Sequence, residues 1–454
     1  MNNTHISEIA SWVQGHLIGN DVSCTGISID SRTLEPGQIF WALQGPHFDG
    51  HDFINTAAAN GAVACVVSQP VVTQLPIIQV TDTRTALGAC ATQYRQQFHI
   101  PVIAVTGSCG KTTTKALMAS ILGLVGPTLY PEQSFNNDIG LPLTLLRLEN
   151  KHRYAVLELG TNHPGELALV TSIAKPTVAG ITNIAPVHLE GFGDLAGIAR
   201  EKRSIFAGLV DQGTAIINAD EPLITEHQHV IQASKAARFI DFGIQQPAQV
   251  MAKNIKLDAE GHLSFTLICP HGDGVVHMQL LGEHNVNNAL FAAAVAYALD
   301  VPFATIVQGL EIAKPESKRL NRMQGHNGAV IINDSYNANP TALFAAINLL
   351  ATYKGKRILV LADMVELGPE AADYHRQVGV KALEAGIDVL YTVGVLSEHA
   401  SNAFGKTAKH YHDRAQLITE LQAQLTTDMT VLIKGSNSQR MWEVANALLE
   451  TEGA

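Results

Sequence analysis

The sequence predicts an α/β protein of three domains: a small N-terminal α/β domain, a central domain built on a parallel sheet, and a C-terminal Rossmann-like α/β domain. Three observations predict it. The chain has 454 residues, and at roughly 100–200 residues per domain that length favours about three. Hydrophobic residues make up 46% and charged residues only 16%, less charge than usual, so the composition fills several cores and excludes disorder. Short apolar runs alternate with longer helical segments in two separate stretches, the pattern of parallel strands covered on both faces.

The elements follow in order. The runs 26–29, 38–43, 63–67 and 77–80 read as strands with a helix over 52–60 among them, and they make a first domain of residues 1–82. A linking helix over 85–98 opens the second domain, residues 83–314. Its strands are 100–106, 153–159, 177–182 and 214–218, and its clearest helices 111–124 and 195–207. The third domain, 315–454, repeats the alternation with strands at 329–332, 357–361, 389–393 and 429–433. Each of these strands runs into a polar or glycine-containing loop, where open α/β sheets hold ligands.

Composition also excludes partners. Lys plus Arg is 30 against 41 Asp plus Glu, a formal charge of −11, which repels nucleic acid and anionic membranes at long range. The five cysteines, 24, 65, 90, 109 and 269, are scattered, so they suit a reducing compartment rather than a disulfide or Cys-x-x-Cys framework. The N-terminus has no basic segment followed by an apolar one. The longest apolar runs, such as 291–299, fall short of the roughly 20 residues that span a bilayer. A cytoplasmic protein without membrane insertion and without a nucleic-acid partner is expected.

Chemistry concentrates at Thr106-Gly107-Ser108-Cys109-Gly110-Lys111-Thr112-Thr113, between a strand and a helix. Consecutive backbone N–H groups and the positive end of the helix surround phosphate oxygens there, Lys111 adds a point charge, and Thr112 is placed to bind Mg²⁺. A standard phosphate loop has glycine where Val105 stands. A glycine turn with a solvated lysine is the plain alternative, but the strand before and the helix after favour nucleotide binding. The central domain is therefore expected to be a P-loop ATPase domain.

From this loop to the third domain the chain resembles the Mur ligases of peptidoglycan synthesis, whose shorter Thr-Gly-x-x-Gly-Lys-Thr loop matches 106–112 and accounts for Val105. Glu158-Leu159-Gly160, His188-Leu189-Glu190 followed by Lys202, and Glu283-His284-Asn285-Val286-Asn287-Asn288-Ala289 fit the same family. In the outer domains the matching segments are Asp30-Ser31-Arg32 through Gly50-His51-Asp52-Phe53, Asp334-Ser335-Tyr336-Asn337-Ala338-Asn339-Pro340, Asp363-Met364-Val365-Glu366-Leu367-Gly368 and Lys434-Gly435-Ser436. These resemble the family members that join D-alanyl-D-alanine to UDP-N-acetylmuramoyl-tripeptide. Gln38, Ala362 and Asn437 stand where an acidic residue, a glycine and an arginine are usual.

The resemblance implies an ADP-forming ligase that activates a carboxylate as an acyl phosphate. Lys111, Glu158, His188 and Lys202 are its implied catalytic residues. Thr112 and Glu158 are implied on one Mg²⁺, His188 on a second, and Lys202 as a CO₂-derived carbamate. An ammonium cannot ligate Mg²⁺, whereas a carbamate is a hard oxygen anion, and burial beside other cations exposes the neutral amine that makes it. Read by itself, Arg200-Glu201-Lys202-Arg203 looks equally like a solvated helix face.

Asn285 and Asn288, at i and i+3, are implied to read adenine, with helix capping the alternative for Asn285. Arg319 and Asp334 are implied at ATP phosphate and ribose, and Ser31 and Arg32 at the uridine diphosphate end of the substrate. Asn136, Asn137 and Thr161 are implied along the path to the reacting centre, although a turn before a helix explains the run 134–142 as well. Asp363 and Lys434 are implied at the charged ends of D-Ala-D-Ala. A monomer is expected. A related ligase taking a single amino acid or a folate glutamate, and an ATP-regulated switch that makes no bond, stay open at this point.

Overall fold

The computed structural model describes residues 1, 3–131, 135–225 and 236–450, so Ser134 of the run 134–142 lies outside the described residues. In the first domain β1 (Thr4–His5) and β3 (Ser23–Cys24) form a small antiparallel pair. The main sheet there consists of β2 (His16–Ile18), β4 (Gly26–Ser28), β5 (Gln38–Trp41), β6 (Ala64–Val67) and β7 (Ile77–Gln79). Its order is β2-β7-β6-β5-β4, parallel except between β2 and β7. Trp41 is fully buried and donates its indole N–H to the carbonyl of Thr83 at 2.7 Å. That bond ties the domain to the linking helix Thr83–Gln96, which starts where Asp82 accepts the N–H of Thr85.

The central sheet contains β8 (Val102–Thr106), β9 (Thr128–Leu129), β10 (Tyr154–Glu158), β11 (Val178–Ile181), β12 (Gly213–Asn218), β13 (Ala236–Gly243), β14 (Val250–Leu257), β15 (His262–Cys269) and β16 (Gly272–Leu281). Their order is β16-β15-β14-β13-β12-β11-β8-β10-β9. It is parallel from β9 to β14, as the alternation of strand and helix predicts, and then continues through the antiparallel pairs β14–β15 and β15–β16. Helices Lys111–Gly123 and His284–Ala298 pack on one face. The second of them is buried at nearly every position from Asn285 to Ala296, and its run of small alanines lets it lie close to the sheet.

The third domain has β17 (Asn321–Gln324), β18 (Val330–Asp334), β19 (Lys356–Ala362), β20 (Val389–Val393), β21 (Ala408–Tyr411) and β22 (Met429–Lys434) in the order β17-β18-β22-β19-β20-β21, parallel except for β17. Placing β22 between β18 and β19 brings the carboxyl ends of three strands together, and register sets Asp334 opposite Lys434. Ligands bind at such an edge in open parallel sheets. Among the described residues no helix is long and apolar enough to cross a membrane.

Candidate active site between the central and C-terminal domains

The carboxyl ends of β8 and β10 open into a cavity of about 490 Å³ that the third domain closes from the other side. All residues of β8 are buried, and the loop that follows holds its shape by close approach. An ideal Cβ on Gly107 would stand 1.9 Å from Thr182 Oγ1, and one on Gly110, where φ is +82°, would stand 2.2 Å from Asn288 Oδ1. Only glycine fits either position. Ser108 Oγ donates to the Ala185 carbonyl (2.9 Å) and accepts the Ala185 N–H (2.8 Å), and the Cys109 N–H donates to Asn183 Oδ1 (2.9 Å). Lys111 begins helix Lys111–Gly123 and turns its ammonium back to the Gly107 carbonyl at 2.8 Å. Burial pushes its pKa down, against the pull of Glu158. The helix N-terminus faces the cavity, as phosphate binding requires.

Glu158 ends β10 and is 2% exposed. Its Oε1 accepts from Asn136 Nδ2 at 2.9 Å, while Oε2 is buried without a hydrogen-bond partner. Leaving a buried carboxylate oxygen unpaired is costly, and a hard cation beside it is the group that would satisfy it. Thr112 contributes a buried hydroxyl nearby. His188 sits in the left-handed region at φ +51° and pairs its Nδ1 with Oε2 of Glu366 from the third domain. Burial lowers the His188 pKa, with Glu366 pulling the other way.

Lys202 resolves the ambiguity of Arg200-Glu201-Lys202-Arg203. Helix Leu195–Arg203 turns Ile198, Ala199, Glu201 and Lys202 inward, and Lys202 is 2% exposed. It is not one of the residues that line the cavity, although the charge of Lys111 reaches it. No hydrogen bond or ion pair reaches its ammonium among the described residues. Burial first, and the charge of Lys111 second, lower its pKa to about 7. Glu201 beside it accepts the hydroxyl of Thr161 (3.0 Å) and the N–H groups of Gly165 and Leu167 (2.8 Å each). Among the described residues no three His, Cys, Asp or Glu side chains cluster as a metal site. A cation here would therefore draw on Thr112, Glu158, His188, nucleotide oxygens and water, a donor set that suits Mg²⁺.

The third domain supplies the far wall. Arg319 donates to Thr112 Oγ1 at 2.7 Å and lies 4.0 Å over the Tyr336 ring. Lys434 lines the cavity, but its buried ammonium is engaged by Asp334 Oδ2 (2.5 Å) and the Asn337 carbonyl (2.9 Å). Asp363 does not reach the cavity: its carboxylate accepts the N–H groups of Ser397 (2.7 Å) and Val395 (2.9 Å). Asn285 and Asn288 line the cavity and also brace the loop. Asn288 Nδ2 donates to Asn285 Oδ1 (2.7 Å), and Thr114 donates to Asn288 Oδ1 (3.2 Å). Asn136, Asn137 and Thr161 are on the wall, with Asn137 accepting the Gly140 N–H (2.8 Å). Ser31 and Arg32 stay on the first domain, away from this cavity. Arg32 there forks onto Asp30 at 2.9 and 2.7 Å.

Sequence reasoning missed several participants. Tyr336 and Asn339 lie in a segment already noted for Asp334, and Glu366 in one noted for Asp363. Asn339 caps helix Pro340–Thr352 through the Ala342 N–H and places its amide 3.3 Å from Cys109 Sγ. Asn183 gave no signal beyond its place after β11.

Comparison with known proteins is consistent along the whole chain. Family models match as the Mur ligase family catalytic domain over residues 23–106, the Mur ligase middle domain over 105–296 and the Mur ligase glutamate ligase domain over 318–437. The UDP-N-acetylmuramoyl-tripeptide–D-alanyl-D-alanine ligase of Escherichia coli K12 is 42% identical over 447 residues, 98% of each chain, and that of Bacillus subtilis is 34% identical over 98% of each. A crystal structure of MurF from Acinetobacter baumannii superposes with a TM-score of 0.92 at 34% identity, covering 99% of this chain and 100% of that one. MurF from Thermotoga maritima in complex with ADP gives 0.84 at 25% identity, over 93% and 96%.

Proposed function

The chain belongs to the Mur ligase family, and from that premise we propose that it joins D-alanyl-D-alanine to UDP-N-acetylmuramoyl-tripeptide in peptidoglycan precursor synthesis, converting ATP to ADP and phosphate. The observation that carries the reading is the meeting, in one cavity, of the phosphate loop, the unpaired oxygen of Glu158 and the C-terminal Arg319, in a chain that matches relatives of that name from end to end.

A carboxylate does not react with an amine at neutral pH, because its carbon is shielded and oxide is a poor leaving group. Activation transfers the γ-phosphoryl group: a substrate carboxylate oxygen bonds to phosphorus while the bond to ADP breaks. The dipeptide amine then bonds to the acyl carbon, phosphate leaves, and the surplus proton on nitrogen is lost. The difficulty in the first step is repulsion between a carboxylate and a triphosphate. Lys111 from the loop and Arg319 from the third domain offset it from two sides. When bound, Mg²⁺ adds further positive charge at the phosphates, and Thr112, Glu158, His188 and a carbamate on Lys202 would hold two such ions. Near neutral pH a large share of Lys202 is free amine, able to bond to CO₂ with loss of a proton.

The use of ATP and a nucleotide sugar supports a cytoplasmic site of action. Formation of the cavity by one chain supports a working monomer, which light scattering on the eluted protein checks. Phosphate release measured with each substrate omitted in turn tests the function. Release that requires ATP, the UDP-tripeptide and D-Ala-D-Ala together is expected. Release indifferent to the dipeptide, or faster with a single amino acid, would overturn it, and ATP-dependent partner capture with no acyl phosphate would mark a switch instead.

A further inference from the structure

We propose that Glu366 is the positioning residue of His188 and that, arriving from the C-terminal domain, it makes the readiness of the reacting centre depend on closure of that domain. This rests on the reading of His188 as a residue of that centre. The two stand 178 residues apart in sequence, and Glu366 Oε2 meets His188 Nδ1. A neutral imidazole that donates from Nδ1 presents its lone pair at Nε2. A carboxylate on Nδ1 thereby selects the tautomer, aims the ring and makes Nε2 a better donor to an electrophile or cation. Among the described residues Glu366 is the only hydrogen-bond partner of the His188 ring.

Two independent features show that the contact is built. Both residues occupy the left-handed region, His188 at φ +51° and Glu366 at φ +64°, a conformation uncommon for residues other than glycine. The segment that carries Glu366 is also fixed: the Met364 N–H donates to buried His375 Nε2 (2.9 Å), the Val365 N–H to Ser436 Oγ (3.0 Å), and the Ser436 N–H to the Asp363 carbonyl (3.1 Å). Side-chain exposure of Glu366 is 49%, so the fold does not rely on its packing. A braced loop thus delivers an otherwise dispensable carboxylate to a histidine on another domain. If the domains part, the ring loses its orienting partner.

The test uses the full chain labelled with ¹⁵N-histidine, without nucleotide or metal, and His188 is assigned by the signals lost in His188→Asn. In the wild type the Nδ1–H tautomer is expected. Glu366→Ala is expected to shift the ring toward the Nε2–H form that neutral imidazole prefers in water. Glu366→Gln is expected to keep Nδ1–H, because its amide oxygen still accepts. In ligation assays Glu366→Ala is expected to lower kcat about 10–100-fold while each KM changes less than about threefold, and Glu366→Gln to recover part of the loss. Unchanged His188 signals in Glu366→Ala, or wild-type kcat in that variant, would overturn the proposal. A wild-type chain that forms no product would defeat the ligase reading instead, and the spectra would still decide the pair.

Discussion

A methyl group at Gly110 would stand 2.2 Å from Asn288 Oδ1, on a backbone with φ +82°. The left-handed backbone costs an alanine about 1–2 kcal/mol. Moving the Asn288 amide aside breaks its bonds with Thr114 (3.2 Å) and Asn285 (2.7 Å), at about 0.5–1.5 kcal/mol each. Gly110→Ala is therefore expected to destabilise the central domain by about 2–5 kcal/mol, which for a domain of this size lowers Tm by something of the order of 10 °C. Scanning calorimetry of the transition that ADP shifts measures it. The clash needs Asn288 and the backbone strain does not. In an Asn288→Ala background Gly110→Ala should cost only the strain, leaving a coupling of about 1–3 kcal/mol in the double-mutant cycle. Additive effects would refute the argument that Asn288 is what enforces glycine at this position.

Other outcomes follow from the buried ionisable groups. Lys202→Met, apolar and similar in length, is expected to stabilise the fold while abolishing ligation. The folded pKa of about 7 lies below the ordinary 10.5, so between those values the unfolded chain binds a proton that the folded one lacks. Wild-type stability accordingly rises with pH there by up to about 1.4 kcal/mol per unit. Urea midpoints of the two proteins should converge from pH 7 to pH 10, and a constant gap would contradict the burial argument. Buried His375 donates from Nδ1 to the Ala371 carbonyl (2.7 Å) and accepts the Met364 N–H at Nε2, and burial lowers its pKa below 6.5. Stability is therefore lost as pH falls from 6.5 toward the folded value, and urea unfolding of His375→Gln should lack that loss. Arg319→Lys cannot both lie flat on Tyr336 and reach Thr112, so calorimetry should give about tenfold weaker nucleotide binding.

The legible parts of this chain are those whose causes are local. The loop 106–112 is readable because glycine spacing records where backbone must approach backbone, and β8 because five consecutive residues are buried. β15 is different: it turns Leu263, Phe265, Leu267 and Cys269 inward at every second position, and half its residues are therefore not core residues. The edge strands β9, β17 and β21 are two to four residues long, too short for a period to show. Lys202 reads as solvated because its own helix is charged, and its burial comes from what that helix packs against. Asp363 carries the charge expected of a substrate partner, yet backbone N–H groups from the loop after β20 consume it, a tertiary fact without local signature. Glu366 and His188 share nothing in sequence that announces their meeting.

The net charge of −11 and the cavity's cations together bear on how the domains close. Lys434 is paired with Asp334 and Arg84 with Asp138, so those cations are largely neutralised. Lys111 and Arg319 have no carboxylate hydrogen-bond partner among the described residues. They stand on different domains, and the Lys111 pKa is lowered by burial first and, to a smaller extent, by repulsion from Arg319. Their domains meet through polar contacts, Arg319 with Thr112, Asn339 with Cys109 and Glu366 with His188 among them, and contacts of that kind leave domains free to move. A polyphosphate placed between the two cations turns their repulsion into attraction from both sides. The ligand that needs closure is then also the charge that favours it. This lets a chain that repels anions at a distance hold them at contact, with Glu366 bringing His188 into line in the same movement.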